Sequence, residues 1–280
     1  MSFSPDDIIQ LIREAETAGA TEIHFKVPNK PLFRIEKSLL PTESPAVNPR
    51  NVIQVGQSIL RMANRELPVA NILHEEISFG LANRGRFHAI LYRQRGSLAI
   101  QINLIPQAIT SLEDLGIAAA EETLGTPGIT LITGGPERFQ ALSSLVDRFN
   151  SRQRGCVITI ERPLMFLHRD AMAAISQREV GIDTPSISMG LQSAARQRPD
   201  LIACTNIPDK ESVIALLNAA EEGLQVIACV AAPQSALATS WLTRHFSDDS
   251  EYHVGERIKR TVKTIISVSG ESGGSVEEQS

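Results

Sequence analysis

No stretch of this chain approaches the ~18 uninterrupted apolar residues that a membrane-spanning helix requires, so any link to a bilayer is expected to run through a partner. Cysteine is scarce: Cys156, Cys204 and Cys229 are the only three in 280 residues. Each lies in an apolar run, with no CxxC pair and no secretory signal, which points to reduced thiols and a cytoplasmic location. Positive charge is not in excess. With Lys+Arg 27 against Asp+Glu 32, the formal net charge is -5, and no global field draws the chain to nucleic acid or anionic lipid. Arg84, Arg86, Arg93 and Arg95 crowd one segment, but only Phe87 and Tyr92 are interleaved with them. A nucleic-acid stripe needs more stacking platforms than that, and a subunit interface or a solvated face is the plainer reading. The histidines (His24, His74, His88, His168, His245 and His253) show no metal-ligand spacing, so no metal is expected.

Two kinds of pattern are present. From residue 5, Ile8, Ile9, Leu11 and Ile12 fall near helical spacing behind Ser4 as a cap. Asn48-Pro49 opens a second helix over Val52, Val55, Ile59 and Leu60. Between and after them, "TEIHFKV", "PLFRIE", "EEISFGL", "RFHAILY" and "SLAIQINLI" read as strands. Residues 1–104 are therefore expected to form a small α+β domain with a mostly antiparallel sheet. Residues 105–116 carry Pro, Thr and Ser without a long apolar period and are read as a linker. From 117 to 269 the short apolar runs "GITLIT", "CVITIE", "DLIACT" and "LQVIACV" alternate with helical segments, the pattern of an α/β domain with a parallel sheet covered on both faces. Thr184 before Pro185 and Asp209 read as caps there. The tail 270–280, ending "ESGGSVEEQS", has almost no apolar content and is expected to be disordered.

The run ending Thr133-Gly134-Gly135 is how a buried strand enters a phosphate-binding loop. The loop GxxxxGK[ST] turns successive backbone N–H groups onto phosphates, adds a lysine, and holds Mg²⁺ through a hydroxyl at a helix N-terminus. No match to it occurs in this chain.

The segments "GATEIHF", "IPQAITSLEDLGI", "VITIERPLMFLH", "SQREVGIDT" and "RPDLIA" make residues 16–269 resemble the type II/IV secretion ATPase family, in particular its pilus-retraction motors. "SQREVGIDT" is the most specific of them. The resemblance implies a PAS-like N-terminal domain, a RecA-like C-terminal domain of P-loop type, and a hexameric ring that hydrolyses ATP. It stops short of the C-terminal helical region those motors carry. Matching the loop to the family requires two residues fewer, which sets Arg138 at the lysine position and Phe139 at the Mg²⁺-binding hydroxyl. Pro136 lacks an N–H, and Glu137 brings negative charge towards a polyanion. Glu161 matches a family glutamate, but Arg162 and Met165 replace the acidic positions after it. Asp200 is kept at the start of the Walker B strand, whereas Asn206 replaces its terminal glutamate. Leu224 and Ala231 stand where the family has two histidines. Arg86 and Arg95 lie near positions of subunit-bridging arginines, and Asn103 replaces another.

An arginine finger alone supplies roughly 10³–10⁵ in rate, so losses of this kind at several positions imply a catalytically inactive subunit without a cofactor. On that reading Gly134, Gly135, Arg138, Phe139 and Asn206 are a vestigial nucleotide site. The chain would act as a structural or regulatory part of a pilus or secretion motor, by self-association or in a mixed ring with an active ATPase. Two alternatives stand beside it: a divergent ATPase that binds Mg-ATP through Gly134, Gly135 and Arg138, and an interaction scaffold that forms no ring. The plainer expectation for Arg138 is a solvated helix start, and for Glu161 a strand-end carboxylate near Arg162. Cys204 and Cys229, on two core strands, are placed where they could approach each other.

Overall fold

The computed structural model describes residues 4–81, 85–105, 108–246, 253–269 and 274–279. The chain divides into two compact units, Met1–Gln107 and Ala108–Ser280.

In the first unit, α1 (Pro5–Thr17) starts at Ser4, whose hydroxyl accepts from the Asp7 amide while the Asp7 carboxylate accepts from the Ser4 amide. This reciprocal capping satisfies two first-turn donors. Asn48 and Asn51 do the same for α2 (Pro49–Met62). Six strands, β1 (Glu22–Phe25), β2 (Leu32–Ile35), β3 (Ser38–Pro41), β4 (His74–Leu81), β5 (Gly85–Gln94) and β6 (Ser97–Leu104), pair antiparallel in the order β3-β2-β1-β6-β5-β4. Ile23, Phe25, Leu91, Ile100 and Ile102 pack with Ile8, Ile12, Val55 and Ile59 of the helices in one apolar core. β3 escapes the period-2 reading because all four of its residues are exposed, so it carries no apolar alternation.

The second unit follows as β7 (Gly128–Gly134), α3 (Glu137–Arg152), β8 (Gly155–Glu161), β9 (Ala173–Glu179), α4 (Ile187–Arg196), β10 (Leu201–Cys204), α5 (Lys210–Glu221), β11 (Gln225–Cys229), α6 (Ala238–Thr243), α7 (Val254–Thr261), β12 (Val262–Val268) and β13 (Ser275–Glu278). The sheet order is β13-β12-β7-β11-β10-β8-β9, parallel throughout except for β13. α3 covers one face, with Leu142, Leu145 and Phe149 on Ile132, Val157 and Ile227. Residues of α4, α5, α6 and α7 cover the other, over Ile129, Ile158 and Ile202. Chain direction out of the sheet therefore changes between β7 and β11. In open α/β sheets a crevice forms at such a point, beyond the carboxyl ends of the strands.

Three sequence expectations need correction. Residues 108–116 belong to the second unit rather than to a free linker, because Leu112 is buried in its core. Pro106 and Gln107 lie outside the described residues, as does most of the turn "ANRG" with Arg84. In the tail, Ser275–Glu278 pairs with β12 as β13. Backbone hydrogen bonds to an open sheet edge, and a Ser235 hydroxyl donated to Glu277, order a segment with almost no apolar content; residues 270–273 and 280 lie outside the described residues. Finally, α4 is capped by Ser186, which accepts from the Met189 amide, two positions beyond Thr184.

Candidate functional site

The candidate site sits on the carboxyl edge of the parallel sheet, where β7 hands over to α3. Gly134 ends β7 at φ +115°, and a side chain there would collide with the Val268 carbonyl oxygen of β12. Glycine is required by both facts. Its amide donates to the Ala232 carbonyl at 3.0 Å.

From this point the loop closes on itself. Arg138 and Phe139 donate their amides to the carbonyls of Gly135 (3.2 Å) and Pro136 (3.1 Å). These are the tight i+3 bonds that satisfy first-turn donors when no side chain does so, and α3 has no side-chain cap. Pro136 has no N–H at all. Four of the six backbone positions from 134 to 139 thus offer no amide to an outside anion.

The Arg138 guanidinium, half-buried rather than solvated, folds back so that Nη1 donates to the carbonyls of Gly134 (3.1 Å) and Gly135 (2.7 Å). Its Cζ lies 4.2 Å from the centroid of the Phe139 ring, within cation–π range. Oε2 of Glu137 lies 2.5 Å from where a β-carbon on Gly135 would be. A phosphate cradle presents N–H donors and positive charge; this loop presents carbonyls, a carboxylate and a ring face, with its one cation already engaged. Phe139 packs against the core and supplies no metal-ligating oxygen. The residues present do not fit a Mg²⁺-bound triphosphate.

Three strands away, roughly 14 Å at the usual strand spacing, Glu161 ends β8 and is 4% exposed. Its Oε1 accepts from the Thr159 hydroxyl (2.6 Å) and Gln177 Nε2 (3.2 Å), and its Oε2 from the Met165 amide (2.9 Å). Gln177 in turn donates to the Phe166 carbonyl and accepts from the His168 amide. Glu161 is thus tied into the β8–β9 connection by its neighbours, and the exposed Arg162 donates its amide to Thr205 Oγ1. Burial raises the Glu161 pKa above its ordinary value, partly offset by these hydrogen bonds, and the neighbouring Glu179 raises it further. Burial also lowers the His168 pKa to about 4, so its imidazole is neutral near pH 7.

The donors around Glu161 were not identified from sequence alone, although a signal existed. "TIE" and "QRE" have one spacing, and the strands place Thr159 opposite Gln177 and Glu161 opposite Glu179.

The other sequence candidates scatter. Asn206 is exposed just beyond β10, and its Oδ1 accepts from the Ile207 amide. Asp200 lies at the opposite end of β10, accepting from the Cys156 amide at 2.8 Å. Leu224 precedes β11 and Ala231 follows it. Cys204 and Cys229 do not pair: they are free thiols in the apolar clusters on opposite faces of the sheet. In the first unit, Arg86 is half-buried on β5 and Arg95 is exposed in the β5–β6 turn at φ +49°. Arg93 turns inward onto the carbonyls of Val69, Ala70 and Ile72, which leaves no continuous arginine stripe among the described residues. Asn103 donates to His88 Nδ1 and accepts from Gln101. Among the described residues, no group of three or more His, Cys, Asp or Glu could hold a metal ion, and no helix is long and apolar enough to cross a membrane.

No family model matches the chain. Individual proteins do. The type IV pilus retraction ATPase PilT of Pseudomonas aeruginosa is 24% identical over 265 residues, 93% of this chain and 77% of that protein. A twitching motility protein of Neisseria gonorrhoeae is 26% identical over 267 residues, 93% of this chain and 70% of that protein. A crystal structure of the pilus retraction motor PilT with bound ADP superposes with a TM-score of 0.82 at 26% identity, covering 96% of this chain and 81% of that one. In sequence and in fold the chain is similar to the pilus-retraction ATPases of the type II/IV secretion family. The Legionella pneumophila ATPase DotB, at 20% identity and a TM-score of 0.77 over 99% of this chain and 80% of that one, shares the fold.

Proposed function

We propose that this chain is a catalytically inactive member of the secretion ATPase family, a structural or regulatory subunit of a pilus or secretion motor. The observation that carries the reading is the Arg138 guanidinium donating to the Gly134 and Gly135 carbonyls, which leaves the loop turned away from the arrangement that grips a triphosphate. Phe139 in place of a hydroxyl and the exposed Asn206 beyond β10 support it. On this reading the first unit is the PAS-like domain and the second the RecA-like domain, with 134, 135, 138, 139 and 206 a vestigial nucleotide site. The chain joins a ring, hexameric as the family resemblance implies, alone or beside active subunits, with Arg86 and Arg95 at the subunit contact. It works in the cytoplasm, at the inner membrane through its partners. A subunit that does not cycle with nucleotide biases the ring towards one conformation, because it lacks the differential contacts that drive the other.

The test mixes the purified protein with an active pilus-retraction ATPase and measures assembly mass and hydrolysis rate. A mixed ring with altered turnover, and no hydrolysis by this chain alone, is the expected result. Hydrolysis by this chain alone that is lost in Arg138→Ala would favour the divergent-ATPase alternative. A strict monomer that neither joins nor perturbs the ring would favour the scaffold.

A further inference from the structure

The loop at 134–139 does more than fail to bind an anion. We infer that it has been converted into a cation cradle whose ligand is an alkylguanidinium, supplied in cis by Arg138. The inference rests on the proposed inactive reading and deepens it. Two carbonyls, Gly134 at 3.1 Å and Gly135 at 2.7 Å, converge on one guanidinium nitrogen. The Phe139 ring presents its face at 4.2 Å from Cζ, and the Glu137 carboxylate lies over Gly135. Carbonyl oxygens and a π-face are partners a planar cation selects, and the flat guanidinium can lie against the ring while one of its nitrogens donates to both carbonyls.

The Arg138 and Phe139 amides are turned into the Gly135 and Pro136 carbonyls. Arg138 bonds Gly135 from both its backbone and its side chain, so the guanidinium and the closed turn hold each other. The loop then keeps one conformation without any exchanging ligand. That is the property a subunit needs if it is to hold a ring in one state while its neighbours cycle.

Chemical rescue tests this. Amide hydrogen exchange is followed over residues 131–142 in wild type, Arg138→Ala and Arg138→Lys, with and without propylguanidinium at about 10 mM, roughly a hundredfold below denaturing concentrations. Exchange at the Arg138-position and Phe139 amides is expected to rise at least about tenfold in Arg138→Ala and less in Arg138→Lys. Propylguanidinium is expected to restore protection in Arg138→Ala only, and inorganic phosphate at equal ionic strength to leave it unchanged. Should Arg138→Ala not fold, Arg138→Lys, which keeps the charge and loses the planar group, carries the loss of protection against wild type. Unchanged exchange in both variants, or protection by phosphate in place of guanidinium, would overturn the inference. A parallel Mg-ATP titration of wild type separates the two levels. Nucleotide binding with intact rescue would refute the inactive reading alone; no binding and no loss of protection would refute the cradle alone.

Discussion

The Gly134–Phe139 loop and Glu161 lie on one edge of one sheet, and on the proposed inactive reading they depart from a working ATPase in opposite ways. The loop keeps its backbone course from strand to helix and reverses its chemistry: acceptors stand where donors belong, and the cation faces inward. Glu161 matches the family's glutamate on the resemblance, yet its carboxylate accepts from Thr159 of its own strand, from Met165 in the β8–β9 connection and from Gln177 of β9. On that reading, identity at a catalytic position is a poor guide to role when the carboxylate is already held by three donors, and a Gly-Gly turn is a poor guide to phosphate binding when its carbonyls are already taken.

Substitutions can break or sharpen this contrast. The largest effect is expected at Gly134→Ala, where a left-handed φ and the Val268 carbonyl both oppose a β-carbon; about 4 kcal/mol of stability should be lost in a denaturant titration. A neutral result would mean that the β7–β12 edge is looser than described. Glu161→Ala strips three donors of their buried acceptor and should cost about 3 kcal/mol.

Glu161→Gln is the sharper probe, because the folded-state pKa of Glu161 is raised. Folded protein holds that proton more tightly than unfolded chain does, so unfolding releases protons and stability falls as pH rises from the ordinary glutamate value, about 4.3, up to the raised one. The stability difference between wild type and Glu161→Gln should shrink or reverse over that window, and a pH-independent difference would show that folding does not raise the Glu161 pKa. Arg138→Ala should cost only about 1 kcal/mol, since the side chain is half-exposed and its charge screened. Smallest of all, Arg95→Gln should leave stability within about 0.5 kcal/mol and act, if the interface assignment is right, on assembly mass alone.

Much of the fold was legible because its signals are local. Ser4, Asn48 and Asp209 cap helices as their spacing implies, and the apolar runs of the second unit became the strands of a parallel sheet. β3 and β13 were missed for one physical reason: both are held by backbone pairing at a sheet edge, which leaves no apolar period to read. At the site, the replacement of lysine by Arg138 was visible in sequence, but its direction was not. Whether an arginine faces outward to a phosphate or inward to carbonyls depends on Pro136 and the turn of Gly135, which are tertiary facts. The Glu161 cage was similarly hidden, since Thr159 and Gln177 meet only through the register of β8 and β9.

Calorimetric titration of Mg-ATP into the wild-type protein tests the central claim most directly. The account expects no saturable heat and no gain in thermal stability at any nucleotide concentration. A saturable isotherm would contradict it, the more so with the roughly 2.7 kcal/mol of added stability that a ligand gives at about 100 times its dissociation constant and with loss of both in Arg138→Ala.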